Sequence, residues 1–157
     1  MSSNNPSIGI FVATITGLAD ICGEEIEDAL ANAGLASERH MMDCMGASDL
    51  DPFDLLVIVS STYGHGDIPD NGQALYGDLE NGADLSGKKY VLFALGDRTY
   101  ADTFCAAGDR WATALDTCGA TRIVDIQRHD ASSGTLAEDV AGEWAASWID
   151  RIKEGAE

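Results

Sequence analysis

The sequence predicts an α/β fold in which a doubly wound parallel sheet of five strands, in the order 2-1-3-4-5, carries helices on both faces. Short apolar runs alternate with helical patterns along the chain, which is typical of parallel strands joined by crossover helices. Three of these runs are apolar throughout, which indicates strands buried on both faces. The length of 157 residues and the 45% hydrophobic content suit one core. We therefore expect a single domain over residues 1–157.

The strand order follows from how apolar each run is. The most apolar runs, Ile8–Ala13, Leu55–Ser60 and Tyr90–Leu95, are too short for helices and predict strands one, three and four. Mixed runs at Glu38–Asp43 and Arg122–Gln127 predict strands two and five. Fully apolar strands belong at the centre of the sheet and mixed strands at its edges, and the order 2-1-3-4-5 satisfies both conditions.

Four segments have the periodicity of amphipathic helices. They are Leu18–Ala33, about 71–80, about 107–118, and a last helix that begins at Thr135. Gly34 follows the first of these helices and is a typical stop signal. Thr135 and Glu138 match a capping box, which predicts the start of the last helix.

The net charge of −18 argues against nucleic acids and anionic membranes as partners. It favours basic partner proteins, although solubility or adaptation to high salt would also explain it. The chain has no run of about 18 apolar residues that would predict a membrane span. Its first residues, MSSNNPS, lack the basic and apolar segments of a secretory signal, so we expect a cytoplasmic protein.

The cysteines and histidines do not form a metal-binding pattern. Four cysteines, Cys22, Cys44, Cys105 and Cys118, are spread without a CxxC pair, and the three histidines are scattered. Zinc and iron–sulfur sites need closely spaced ligands. The sequence therefore predicts no metal site, and four reduced thiols.

In such a sheet, ligands bind beyond the carboxyl ends of the strands, at the switch point between strands one and three. The loop after strand one, Thr14–Ala19 (TITGLA), places two hydroxyls and a glycine at a helix N-terminus, which is a favourable anion site. It lacks the lysine of a Walker A loop and the spacing of GxGxxG. Taken alone, an ordinary threonine-rich turn explains the loop equally well.

The loops after strands three and four each bring an aromatic residue to the same edge. Ser61–Asp67 has glycines at alternate positions, which allow the backbone to approach a flat ligand, and Tyr63 is suited to stacking on a ring. The segment Gly96–Tyr100 adds a second tyrosine. Two aromatic loops beside one anion site indicate a ligand with a phosphate at one end and a planar ring at the other.

At these residues the chain resembles the flavodoxin-like FMN-binding family. TITGLA looks like the family's phosphate loop, SSTYGHGDIPDNG resembles its S/T-T-Y-G-E-G-D-x-x-D-N loop, and LGDRTYADTFC is similar to its L-G-D/N-x-x-Y segment. Ala19 stands where many flavodoxins carry Thr, and His65 replaces the usual Glu. The similarity covers nearly the whole chain. It is closest to short-chain MioC-like proteins and to the FMN domains of diflavin reductases.

The resemblance implies a flavodoxin-like fold with FMN as the cofactor, and it assigns binding residues by role. The phosphate would be held by Thr14, Ile15, Thr16, Gly17, Leu18 and Ala19. The ring would be lined by Ser61, Thr62, Tyr63, Gly64, His65 and Gly66, with Tyr63 and Tyr100 on its two faces. Leu95, Gly96 and Asp97 would follow the ring edge, and Phe104 and Cys105 would close the ribityl side. No catalytic residue is expected.

The function implied is that of a low-potential electron-transfer protein and not of an enzyme. Its partners would be basic redox proteins, namely an NADPH-dependent flavodoxin reductase and an acceptor enzyme, and a monomer is expected. Two alternatives stay open: a small NAD(P)H-dependent FMN oxidoreductase and an FMN-free regulatory binding module. A two-component receiver domain shares the strand order, but it needs acidic residues where this chain has Ala13-Thr14 and Ser60-Ser61.

Overall fold

The computed structural model describes residues 7–14, 17–43, 45–61, 68–96, 106–130 and 133–154. The strands within these residues are β1 Ile8–Ala13, β2 Ser37–Met41, β3 Leu55–Ser60, β4 Lys89–Gly96, β5 Thr121–Arg122 and β6 Gln127–Asp130. The α-helices are α1 Leu18–Asn32, α2 Gln73–Glu80, α3 Ala106–Thr117 and α4 Ala137–Glu154. Two short 3₁₀ helices are Ala47–Leu50 and Asp70–Gly72.

The strands form one parallel sheet in the order β2-β1-β3-β4-β5, with β6 also paired to β4. This confirms the predicted order 2-1-3-4-5. The predicted bounds of β1 and β3 are confirmed, and both strands are buried at every position. Strand β4 extends one residue beyond its predicted bounds at each end.

The prediction of one continuous fifth strand over Arg122–Gln127 is wrong. Two short strands share that position, since β5 ends at Arg122 opposite Tyr90 and β6 begins at Gln127 opposite Phe93. Between these pairings the outer chain carries two residues more than β4, so it bulges out of the ladder. The carbonyl of Ile123, within the bulge, accepts a hydrogen bond of 2.8 Å from Arg151 Nη1.

Strand β2 lies at the edge and ends earlier than predicted, at Met41 instead of Asp43. Met42 leaves the strand but still donates a backbone hydrogen bond of 3.0 Å to the carbonyl of Val12. Its side chain is fully buried under the sheet. An apolar residue can therefore extend the hydrophobic pattern of a strand beyond its last regular pair.

The capping box predicted at Thr135 and Glu138 is wrong. Helix α4 begins at Ala137, and the backbone N–H groups of Asp139 and Val140 both donate to the carbonyl of Leu136. The hydroxyl of Thr135 instead lies 3.1 Å from His129 Nε2 and 2.7 Å from Ser133 Oγ. The Thr135 hydroxyl therefore bonds to His129 of β6 and does not cap the helix as the sequence pattern predicts.

The predicted stop of α1 at Gly34 is confirmed. Gly34 has a positive φ of 84° and donates to the carbonyl of Ala31, while Leu35 N–H donates to the carbonyl of Leu30 at 2.9 Å. This pair of bonds is a Schellman motif. It returns the chain into β2, so that α1 packs along β1 and β2.

Each face of the sheet covers one hydrophobic core. The α1/α4 face includes Ile10, Val12, Val57, Val59, Phe93, Ile26, Leu30, Trp144 and Trp148. The α2/α3 face includes Phe11, Leu56, Ile58, Leu92, Tyr90, Leu75, Trp111 and Leu115. Helices on both faces of a parallel sheet are the doubly wound arrangement that the sequence predicts.

Candidate functional site

The carboxyl ends of the three central strands meet at one edge of the sheet. Ala13 pairs with Ser60, and Ser60 pairs with Ala94, so β1 and β3 end level with each other. Strand β4 continues to Gly96. The loops that follow β1, β3 and β4 therefore leave from the same edge, as the sequence predicts.

The turn from β1 into α1 has a fixed backbone at both of its described ends. Gly17 adopts a left-handed conformation with φ 92° and ψ −8°. Its N–H donates to the Thr14 hydroxyl oxygen at 2.9 Å. A Cβ atom at Gly17 would meet none of the described residues within 4 Å, so the described part of the chain leaves space beside the turn. The backbone shape needs glycine, and the open space leaves room for a ligand atom.

The N-terminus of α1 offers amides beside this turn that have no hydrogen-bond partner among the described residues. Ile21 N–H makes the first bond of the helix, to the carbonyl of Gly17 at 3.2 Å, so the amides of Leu18, Ala19 and Asp20 precede the helical ladder. Gly17 provides no side-chain cap. These amides and the positive end of the helix dipole favour an anion.

The one acidic side chain in the first turn of α1 is already engaged. Asp20 Oδ1 accepts a hydrogen bond from Arg39 Nη1 at 2.5 Å, and Arg39 also lies 3.1 Å from Glu27 and 3.6 Å from Glu24. The guanidinium therefore offsets the carboxylate that would otherwise repel an anion at this helix end. The residues present fit a phosphate monoester, since hydroxyl and amide groups are available and the acid of the first turn is paired with Arg39.

The structure gives different roles to the predicted residues of this turn. Thr14 is half-buried and its hydroxyl supports the turn. The side chain of Ala19 is 0% exposed and lies in the α1/α4 core, so Ala19 can offer only its amide to a ligand. Leu18 packs against the same core. Binding at this turn would therefore rely on main-chain groups and on threonine hydroxyls.

The end of β3 is held from the α2/α3 face. Ser61 N–H donates to the carbonyl of Ala13 at 2.9 Å and continues the pairing by one residue. The buried Ser60 hydroxyl donates to the Ser61 carbonyl at 2.9 Å and accepts from Trp111 Nε1 at 3.0 Å. A buried tryptophan thereby fixes the point at which the third loop leaves the sheet.

At the end of β4, Leu95 and Gly96 pair with His129 and Asp130 of β6. The side chain of Leu95 is buried in the α1/α4 core, so only its backbone can face a ligand at the sheet edge. Gly96 is half-buried. The other predicted site residues lie outside the described residues: Ile15, Thr16, Thr62, Tyr63, Gly64, His65, Gly66, Asp97, Tyr100, Phe104 and Cys105.

Asn71 is a site-edge residue that the sequence analysis did not select. Its Oδ1 accepts a hydrogen bond of 3.0 Å from the Thr14 N–H, across 57 positions of sequence. In the sequence, Asn71 ends the motif quoted for the loop that follows β3. The contact itself depends on tertiary structure.

A cavity of about 480 Å³ lies elsewhere, beside strand β2. Its lining is Glu38, His40, Met41, Asp43, Met45, Asp49, Pro52 and Phe53, none of which is a predicted site residue. Three of these side chains are carboxylates. They would repel a phosphate, so this cavity does not compete with the β1–α1 turn as a site for an anionic ligand.

Three further observations apply to the described part of the chain. No group of three or more His, Cys, Asp or Glu residues there could hold a metal ion. No helix there is both long enough and apolar enough to cross a membrane. Cys22 and Cys118 are free thiols, and burial raises the pKa of Cys22 to about 12, so its reactive thiolate is scarce at neutral pH.

The fold and this turn together define a doubly wound α/β protein whose switch point is suited to a phosphate-bearing ligand. A model of the flavodoxin family matches residues 10–144, and the chain belongs to the flavodoxin family.

Its similarity to individual proteins extends over most of the chain. Protein MioC of Escherichia coli O157:H7 is 32% identical over 93% of this chain and 98% of its own length. NADPH–cytochrome P450 reductase of Bos taurus is 35% identical over 88% of this chain, which corresponds to 21% of that larger enzyme. A cysteine-to-alanine mutant of a flavodoxin from Pseudomonas aeruginosa superimposes with a TM-score of 0.84, at 26% identity, over 94% of this chain and 99% of that one.

Proposed function

We propose that this protein binds FMN at the carboxyl edge of its sheet and carries electrons between partner proteins. The observation that carries the proposal is the uncharged anion site at the β1–α1 turn, located where a doubly wound sheet binds its ligand. Membership of the flavodoxin family supports the same cofactor. We further propose that residues 1–157 form a single FMN-binding domain.

In this proposal each part of the site has a separate task. The Thr14 hydroxyl and the amides of Leu18 and Ala19 hold the phosphate, together with Ile15, Thr16 and Gly17. The segment Ser61–Gly66 and Tyr100 surround the ring. FMN supplies the redox chemistry when bound, and the protein supplies binding, orientation and electrostatics. No side chain acts as a general acid or base.

The charge of the chain sets the electrostatic environment of the site. A net charge of −18 opposes added negative charge, so electrons should enter a bound flavin less readily than free FMN. A redox titration of the loaded protein against free FMN measures this difference. A potential equal to or higher than that of free FMN would contradict the electrostatic argument.

The partners proposed are basic redox proteins: an NADPH-dependent flavodoxin reductase as donor and an acceptor enzyme. Exposed acids on both helices of the α1/α4 face support such docking, among them Glu25, Asp28, Glu143 and Asp150. Steering by charge predicts that association slows as salt rises. Rates that stay constant from low to high ionic strength would remove this part of the proposal. We also propose a cytoplasmic monomer.

The test of the cofactor is a visible absorption spectrum of the purified protein, recorded before and during titration with FMN. A perturbed flavin spectrum that saturates at one FMN per chain is expected. A protein that leaves the FMN spectrum unchanged would overturn the proposal in favour of an FMN-free binding module. Oxidation of NADPH by the loaded protein without a reductase would favour the oxidoreductase alternative.

A matched pair of variants locates the site. Gly17 and Gly34 lie at opposite ends of α1, both have positive φ (92° and 84°), and a Cβ at either would meet no described residue within 4 Å. Gly17→Ala and Gly34→Ala should therefore cost similar stability, about 1–2 kcal/mol each. Only Gly17→Ala should weaken FMN binding, because its methyl group enters the proposed phosphate site. Equal FMN affinities in the two variants would place the phosphate elsewhere.

A further inference from the structure

Asn71 uses both ends of its side-chain amide to hold the end of β1. Its Oδ1 accepts from the Thr14 N–H at 3.0 Å, and its Nδ2 donates to the Val12 carbonyl at 3.2 Å. The Val12 carbonyl also accepts from Met42 N–H at 3.0 Å. The side-chain amide of Asn71 therefore bonds to both Val12 and Thr14, the residues on either side of Ala13 at the end of β1.

The backbone that carries Asn71 is itself closely packed. Asn71 lies in the 3₁₀ helix Asp70–Gly72, and Gly72 N–H donates to the Pro69 carbonyl at 2.8 Å. A Cβ atom on Gly72 would lie 3.0 Å from Trp111 and 3.1 Å from Ala13, so this segment is pressed against the end of β1. The packing of this segment therefore fixes the backbone position from which the Asn71 side chain reaches β1.

The hydrogen bonds of Asn71 continue into the phosphate-binding turn. Asn71 holds the Thr14 amide, and the Thr14 hydroxyl accepts from the Gly17 N–H at 2.9 Å. We propose that Asn71 is a positioning residue, which sets the β1–α1 turn in its anion-binding shape before the ligand arrives.

This inference rests on the proposed function, and it predicts a selective effect. Riboflavin lacks the phosphate of FMN but has the same ring. Asn71→Ala should weaken FMN binding about tenfold, the factor that corresponds to the net loss of one or two hydrogen bonds. Riboflavin binding should change less than twofold, because the ring contacts are not held through Thr14.

The experiment measures dissociation constants for FMN and riboflavin by quenching of flavin fluorescence, in wild type, Asn71→Ala and Asn81→Ala. Asn81 is exposed at the end of α2, so Asn81→Ala should match wild type for both ligands. Loss of FMN affinity with riboflavin affinity retained supports the proposal. Equal losses for both ligands, or no loss for FMN, would overturn it.

Amide hydrogen exchange on the cofactor-free protein supplies a test that does not need FMN. Asn71→Ala should remove protection at Thr14 and lower it at Gly17, whereas Asn71→Asp, which keeps the acceptor, should retain protection at Thr14. Unchanged protection in Asn71→Ala would overturn the positioning role. If wild type binds neither flavin, the proposed function fails, and the exchange result alone decides whether Asn71 orders the turn.

Discussion

On the α1/α4 face, Trp144 packs on Phe93 and on Trp148 at ring separations of 5.5 Å, and Trp148 Nε1 is buried without a hydrogen-bond partner among the described residues. On the α2/α3 face, Trp111 Nε1 bonds to Ser60, and the Tyr90 hydroxyl donates to Asp116 at 2.7 Å. Trp144 and Trp148 of the first face make apolar contacts, whereas Trp111 and Tyr90 of the second face also make directional bonds. One of those bonds ends at the strand terminus from which the third loop leaves. The α2/α3 face therefore couples core packing to the end of β3.

The largest expected effect on stability comes from replacing a buried tryptophan on each face. Trp148→Ala and Trp111→Ala should each lower the free energy of unfolding by about 3–5 kcal/mol, measured by urea denaturation. FMN affinity, measured at a temperature where both variants are folded, should fall about tenfold in Trp111→Ala alone, since that variant loses the bond to Ser60. Equal loss of FMN affinity in Trp148→Ala would remove the distinction between the faces.

A second test uses the buried thiol of the α1/α4 face. Burial, with smaller contributions from Glu138 and Glu25, raises the pKa of Cys22 from 9.0 to about 12. Below pH 9 the thiol is neutral in both states, but between pH 9 and 12 only the unfolded state loses its proton, so stability falls as pH rises. The loss due to Cys22 should be about 1.4 kcal/mol between pH 8 and pH 10.

Urea unfolding at these two pH values measures that loss in wild type and in Cys22→Ala. The wild type should lose more stability than the variant over this interval. An identical pH dependence in the two proteins would show that Cys22 is not shielded from solvent as the packing indicates.

A third, smaller effect isolates the hydrogen bond itself. Trp111→Phe loses the bond to Ser60, whereas Trp148→Phe removes a buried N–H group that has no partner in the described structure. Trp111→Phe should cost about 1 kcal/mol more than Trp148→Phe in the free energy of unfolding. Equal costs in urea titrations would mean that the Trp111 bond contributes no net stability.

The smallest effect concerns the ion pairs of Arg39, which lie at the exposed border of the α1/α4 face. Arg39 is partly exposed and pairs with Asp20, Glu24 and Glu27. Arg39→Met should lower stability by about 0.5–1 kcal/mol at low salt, and the loss should shrink at 1 M NaCl because exposed ion pairs are screened. The Trp111→Phe cost should not depend on salt. If the stability loss caused by Arg39→Met were the same at low and high salt, this distinction would be wrong.

Sequence alone predicted the central strands well because both faces of β1 and β3 are buried, and continuous apolar runs mark such strands. The prediction failed at the fifth strand because the apolar residues there are not the residues that pair. The apolar residues there pack into the cores outside the ladder, Ile123 and Val124 on one face and Ile126 on the other. The residues that pair as β6, Gln127–Asp130, are all polar. A hydrophobic pattern indicates which residues are buried. In this region the partly buried apolar residues, Ile123, Val124 and Ile126, are not the residues that pair as β6.

At the candidate site, the β1–α1 turn was predictable because its signals are local: hydroxyls, a glycine and a helix start. Asn71 ends the motif quoted for the third loop, but its bond to Thr14 was not predictable, since it joins residues 57 positions apart. The loops assigned to the flavin ring, including Tyr63 and Tyr100, lie outside the described residues, and their roles stay predictions.

The bulge between β5 and β6 also bears on how the chain can change in length. The sheet ladder is already interrupted at Ile123–Ile126, so additional residues inserted there would break no strand pairing. Arg151 of α4 anchors the bulge through the Ile123 carbonyl, which keeps the flanking strands in place. A longer descendant of this protein, whether evolved or engineered, could therefore gain a new segment at this edge while the β1–α1 turn, on the other side of β3, keeps its shape.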